Sequence, residues 1–449
     1  MPSDAHADPV AIVGGTLLDG NGGPPVEDAV VVIRGERIEA VGGPATPVPE
    51  GARRVDATGR YIIPGLMDAN VHLFFACTPD DLLRLDDRYE DVVAEAAQVA
   101  LRSGLTTVFD TWGPRQALLA VRDKIRAGRL EGSRMFVAGN IIGLGGPTSD
   151  DFFKVARTVL PKREADRIDE RWEQGVGADL LWLTPDEVRE RIRRYIDSGS
   201  QDFLKYAASG HTEMQFITFS AEAQRAIVEE GHRAGMTVQA HTTSPESLRM
   251  EIEAGCDLLQ HGDITGPVPM PEATLRTIVD RKIPCASLLT TRRYLAWTEA
   301  HGSDPMKTFY RVAHANDRRL VEAGAVVLLT TDAGVWRPDA ADHPLIGTSA
   351  GADDSPVALG EAHFRWLVAA SELGMSPMES LLSATSHIAR AYHVDKDLGT
   401  LEAGKLADLV ILDKDPLASP EHYRNIHLVM QGGRVVDRDS LPSTRVLTA

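Results

Sequence analysis

Along the middle of the chain, apolar runs of strand length alternate with longer stretches of helical period. Eight such runs stand out: Ile62 to His72, Thr106 to Thr111, Met135 to Gly139, Phe203 to Ala208, Thr237 to Thr242, Leu258 to Gly262, Pro284 to Leu289, and Val326 to Ala333. Between them lie helical signals: Asp91 to Ser103 with Gly104 placed to cap its end, and the start signatures Thr184-Pro185-Asp186-Glu187 and Ser376-Pro377-Met378-Glu379. Each signature puts a hydroxyl cap before proline and an acid three residues on. Eight strand–helix units predict an α/β protein with a (β/α)8 TIM-type barrel, whose active site is built at the C-terminal strand ends. The gap from Met135 to Phe203 is long, and its 140–180 stretch is expected to act as a lid.

Both ends of the chain read differently. Val10 to Val13, Ala29 to Ile33 and Arg37 to Val41 are short β-rich runs separated by Gly/Pro turns, and Ala407 to Leu412, His427 to Met430 and Gly433 to Val436 repeat the pattern. The expected division is a small β-sandwich domain built from residues 1–60 and 395–449 around a barrel of residues 61–394.

The barrel strands end in unusual residues. The first ends in Asn70 and His72, whose two-residue spacing puts both side chains on one face. The fourth carries Lys205, the fifth ends at His241, the sixth at His261 and the eighth at Asp332. Taken singly, each has an ordinary reading: a satisfied core histidine, a turn-capping asparagine, a lysine that reaches water along its stem, an aspartate in a turn. Taken together, they fall at one end of successive strands, which favours a metal centre. A lysine inside Phe203-Leu204-Lys205-Tyr206 would bury an ammonium at high cost unless it is paired or altered. Carboxylation by carbon dioxide would turn it into an anionic carbamate able to bridge two cations. His211 and His343 follow strand ends and divide evenly between substrate contact and surface loop. Cys77 is not needed as a further ligand.

Composition narrows the function. The chain has 449 residues, 43% hydrophobic and 25% charged, with a formal net charge of -18. That charge argues against nucleic acid and anionic membrane partners, which need basic clusters. No run approaches a membrane span or a signal peptide. Three cysteines suit reduced thiols, so a cytoplasmic location is expected.

The chain resembles the amidohydrolase superfamily in its imidazolonepropionase/prolidase-like branch. The resemblance rests on Pro64-Gly65-Leu66-Met67-Asp68, Gly104-Leu105-Thr106-Thr107-Val108, Lys205, His241, His261, Thr331-Asp332-Ala333-Gly334, and the run Gly399 to Leu409. It implies that His72 and residue 70 bind a more buried metal, that carboxylated Lys205 bridges two metals, and that His241 and His261 bind a more exposed one. It makes Asp332 a metal contact and the proton acceptor from water. It also implies one or two divalent cations, zinc before cobalt or manganese, and a homo-oligomer. Asn70 departs from the usual histidine, and an amide oxygen is a poorer ligand than imidazole for zinc-like ions. An Asn-x-His start resembles the subgroup of phenylurea hydrolases and molinate hydrolase.

The resulting expectation is metal-assisted hydrolysis of a C–N or C–S bond at a carbonyl. Asp332 serves as general base and then acid, and Tyr206 or His211 donates to the oxyanion. Phe74, Phe75, Trp112, Phe152, Phe153, Tyr294, Trp297 and Trp336 follow strand ends, which suits a small neutral aromatic or alkyl urea, carbamate or thiocarbamate. Arg292-Arg293 keeps open a dipeptidase or N-acyl amino acid hydrolase with a carboxylate clamp. A non-catalytic binding homologue of the same fold is the third reading.

Overall fold

The computed structural model describes residues 8–75, 79–152, 156–199, 201–211, 214–337 and 354–449. The middle of the chain is α/β with parallel sheets. One sheet orders the strands Leu66–Val71, Leu105–Asp110 and Arg134–Val137. The other orders Ile141–Ile142, Leu204–Ala207, Val238–His241, Leu258–Gln260, Cys285–Ser287 and Val327–Leu329. All paired neighbours run parallel. Leu66–Val71, Leu105–Asp110 and Leu204–Ala207 are buried at every position, as expected of parallel strands covered on both faces. Backbone hydrogen bonds also cross between the sheets. Asp332 N donates to Asn70 O and His72 N to Ala333 O, each at 2.9 Å, and on the other side Asp202 N donates to Val137 O at 2.8 Å.

The helices form where the chain signals them. Helix Tyr89–Arg102 buries Val92, Val93, Ala96, Ala97, Ala100 and Leu101, an apolar stripe of helical period, and Gly104 beyond it takes φ +91°. Helix Pro185–Ser198 starts from a complete Thr184–Glu187 capping box. Ser376 caps helix Pro377–Ser383 by accepting from Glu379 N. The stretch expected as a lid contributes the helices Ala156–Val159 and Lys162–Glu173.

Both termini join in one eight-stranded sheet. Leu409–Leu412 pairs antiparallel with Ile426–Gln431 and with Tyr61–Pro64, and Tyr61–Pro64 pairs with Val10–Leu17. The expected single strand from Ile62 to His72 is therefore two strands in two sheets. Gly65 separates them. A Cβ at Gly65 would stand 2.1 Å from Thr106 Oγ1, so only glycine lets the chain cross so close to its neighbour. The last strand likewise stops pairing at Leu329, and Asp332 beyond it has φ +55°.

Candidate metal centre

The residues that end the strands meet on one side of the sheets. Asn70, His72, Lys205, His241 and His261 are all buried, and the Asp332 side chain keeps 27% exposure. His72 Nε2 lies 2.9 Å from Asp332 Oδ1. Asn70 Nδ2 donates to the same oxygen at 2.6 Å, while Asn70 Oδ1 accepts from the Thr111 hydroxyl. Lys205 Nζ donates to Thr111 Oγ1 at 3.1 Å. The His241 and His261 rings stand edge to face with centroids 5.1 Å apart. Among the described residues no three His, Cys, Asp or Glu side chains gather as one cluster; His72–Asp332 and His241–His261 are two pairs. The charge of Lys205 is felt at both Asp332 and His241.

Burial and neighbouring charges set the protonation of these groups. Burial, then the neighbouring His261, pushes His241 well below the ordinary imidazole range, and burial takes His261 down to about 3. Both rings are therefore neutral at pH 7, the form in which imidazole ligates. Burial lowers Lys205 to about 8. Burial pushes Asp332 up, but the charge and hydrogen bond of His72 outweigh it and hold the carboxyl well below its usual value.

Two observations bear on whether these residues fit a divalent cation. Neither nitrogen of His241 has a hydrogen-bond partner, and Nδ1 of His72 and of His261 is likewise open; all are buried. Unpartnered buried polar atoms are costly, and native cores rarely leave them so. The second observation is backbone strain. His261 has φ +60° and Asp332 φ +55°, left-handed conformations that cost roughly 1–3 kcal/mol in non-glycine residues and collect at functional sites.

Aromatic rings pack around His72 and His241. Phe75 stacks on His72 and meets Trp336 edge-on, and Trp112 meets His72 edge-on. Phe152 stacks on Trp112, and the exposed His211 sits against Phe152 and His241. His211 Nδ1 also contacts Asp151 O at 3.2 Å.

Several expected site residues lie elsewhere. Tyr206 does not reach the centre. It follows Lys205 directly in its strand, so it leaves on the opposite face, where its hydroxyl donates to Gln224 Oε1 at 3.1 Å and lies 3.5 Å from Cys256 Sγ. Phe74 packs into the core against Tyr89 and Trp172, and Tyr294 is fully buried beside Trp297. Arg292 is spent on Glu372, whose carboxylate takes its backbone N–H and whose carbonyl takes its guanidinium. Cys77, Phe153 and His343 lie outside the described residues. Sequence reasoning missed Thr111. Its position directly after the apolar run ending at Asp110, at the same end as the other functional residues, was the available signal.

Comparisons with known proteins place the whole chain. The profile of the Amidohydrolase family matches residues 61–267 and 290–436. The solved structure of a molinate hydrolase superposes with a TM-score of 0.93 at 39% identity, covering 99% of this chain and 97% of that one. Phenylurea hydrolase B superposes with a TM-score of 0.93 at 39% identity, covering 98% of this chain and 100% of that one. An imidazolonepropionase of Mycolicibacterium smegmatis is 23% identical over 415 residues, 91% of this chain and 88% of that protein.

Proposed function

The chain belongs to the Amidohydrolase family, and we propose that it hydrolyses the carbonyl C–N or C–S bond of a small neutral urea, carbamate or thiocarbamate. The observation that carries this reading is the likeness, at 39% identity over nearly the whole of each chain, to a molinate hydrolase and a phenylurea hydrolase. The aromatic wall of Phe75, Trp112, Phe152 and Trp336 supports an uncharged aryl or alkyl substrate. The engagement of Arg292 with Glu372 weighs against a clamp for a free carboxylate.

His72, Lys205, His241, His261 and Asp332 would hold a divalent cation, zinc before cobalt or manganese. When bound, such a cation lowers the pKa of water towards neutrality and polarises a carbonyl. Asp332 is the proton carrier. Its low carboxyl pKa keeps it ionised, and its partial exposure lets it take the proton of the attacking water. It then returns that proton to the departing nitrogen or sulfur. This matters most for ureas, whose nitrogen lone pairs delocalise into the carbonyl, so the leaving amine must be protonated. The products are an amine or thiol and a carbamate fragment that loses carbon dioxide. His211, beside His241, gives its Nδ1 proton to Asp151 O, which leaves Nε2 of the neutral ring to accept from substrate.

A carbamate on Lys205 would bridge two cations. The backbone bonds that cross between the two parallel sheets support reading their nine strands as one barrel, with the terminal sheet as a separate small domain.

The test is a panel of phenylureas, thiocarbamates and N-acyl amino acids, run on protein of measured metal content. We expect turnover of a neutral urea or thiocarbamate that a chelator abolishes and zinc restores, and His241→Ala protein that no longer retains zinc. Preferential cleavage of N-acyl amino acids, or no turnover of any of the three, defeats the proposal.

A further inference from the structure

We infer that Thr111 is a positioning residue that sets the direction of a buried hydrogen-bond chain from Lys205 to Asp332, and so makes Asn70 a donor to Asp332 and not an oxygen ligand of the cation. The inference rests on the role given above to Asp332.

The chain has four members. Lys205 Nζ contacts Thr111 Oγ1 at 3.1 Å, the Thr111 hydroxyl contacts Asn70 Oδ1, and Asn70 Nδ2 contacts Asp332 Oδ1 at 2.6 Å. Thr111 and Asn70 are fully buried and Lys205 is 1% exposed, so water does not compete for these bonds. The backbone fixes the far end: Asp332 N donates to Asn70 O at 2.9 Å.

The donor inventory fixes the order of the protons. An ammonium has no lone pair, and an amine whose lone pair faces a cation has only N–H left to offer elsewhere. In either state Lys205 can only donate to Thr111. A threonine hydroxyl carries one proton, and having accepted from Lys205 it directs that proton to Asn70. The Asn70 oxygen is thereby taken, and its NH2 must face Asp332. The opposite amide orientation would set a carbonyl oxygen against a carboxylate oxygen at hydrogen-bond distance. Which way a buried amide points is decided by its partners, and here every partner agrees.

The consequence concerns the departure that marks this sequence. At position 70 an imidazole would offer a ligand. The asparagine instead bonds the carboxylate that carries the proton, alongside His72 on the same oxygen. Two donors on one oxygen hold Asp332 in a single rotamer, and Thr111 keeps one of them turned the right way. Thr111 touches no reacting atom and acts through its bonds to Asn70 and Lys205.

The test compares Thr111→Val, which keeps the β-branched shape and removes the hydroxyl, with Thr111→Ser, which keeps the hydroxyl. Side-chain 15N labelling of asparagine reports the Asn70 NH2 directly, with Asn70→Ala to assign it. We expect a slowly exchanging Asn70 amide in the unaltered protein and in Thr111→Ser, and a shifted, faster-exchanging one in Thr111→Val. With phenylurea as substrate, kcat should fall by about tenfold in Thr111→Val with KM little changed, and return to within about twofold in Thr111→Ser. Bound zinc per chain should stay at the unaltered level in both Thr111→Val and Asn70→Ala. Zinc loss in Asn70→Ala overturns the inference, because it makes the amide a ligand. So does a Thr111→Val protein with an unchanged Asn70 resonance. If the unaltered protein cleaves no urea, the proposed activity fails, while the resonance and zinc measurements still decide the role of Thr111.

Discussion

Two buried polar clusters in this molecule have opposite hydrogen-bond accounts. Glu95, in the helix Tyr89–Arg102, is fully buried. Its carboxylate accepts from the backbone N–H groups of Val446, Leu447 and Thr448 at 2.8, 2.7 and 2.9 Å, and from the Thr448 hydroxyl. Every oxygen has partners, and the cluster fastens the C-terminal tail to the helix. His241 is as deeply buried, yet neither ring nitrogen is bonded, and its neighbour His261 holds a left-handed backbone. A buried carboxylate costs far more than a buried neutral imidazole unless it is bonded, so Glu95 has the greater need of partners. In the first the protein itself meets that cost. In the second the His241 ring nitrogens have no hydrogen-bond partner among the described residues. Burial alone does not tell the two clusters apart; their hydrogen-bond partners do.

The comparison breaks if its two sides respond alike to mutation. The largest effect is expected at Asp332. Asp332→Asn keeps the shape and the Asn70–Asp332 backbone bond but cannot carry the proton. The expected loss in kcat/KM is about 10²- to 10⁴-fold, with thermal unfolding close to that of the unaltered protein. Activity within a few-fold of normal would remove Asp332 from proton transfer.

Glu95→Ala should do the reverse. It strands buried N–H groups of the tail, and the expected cost is about 2–3 kcal/mol in urea unfolding, with kcat unchanged. A drop in kcat without loss of stability would erase the contrast.

The smallest effect sharpens the satisfied side. Glu230 is buried and bonded by Arg189, Arg193 and Arg233. Burial pushes its carboxyl up, but these bonds outweigh it and take it from 4.5 to about 2. A carboxyl depressed on folding contributes stability above its unfolded pKa and loses it as pH falls through its folded one. The unaltered protein should therefore lose stability between pH 4.5 and about 2 more steeply than Glu230→Gln does. Parallel acid limbs for the two would show that the arginines do not hold the charge.

Much of the scaffold was legible because its signals are local. Seven of the eight expected strands recur within a few residues of their places, and the Thr184 and Ser376 caps form as their spacing indicated. The exception is the run from Ile62 to His72. Its apolar character is continuous, but the two halves bury against different sheets, and hydrophobicity does not say against what. The positions of Lys205, His241 and His261 on or just after their strands were legible for the same local reason. Strand period explains Lys205 and also the error at Tyr206, its immediate neighbour, which must face the other way.

What the sequence determined by itself was the list of groups at the strand ends: Asn70, His72, Lys205, His241, His261 and Asp332. Each is placed by a short apolar run whose period and length are properties of neighbouring residues. The tertiary structure alone decided which of those groups bond to one another. Residues 70, 111, 205 and 332 are far apart in the chain and meet only because parallel strands bring their ends together. The role of Asn70 depends on that meeting. An asparagine side chain offers both an acceptor and two donors, and only its partners in space determine which end faces the carboxylate.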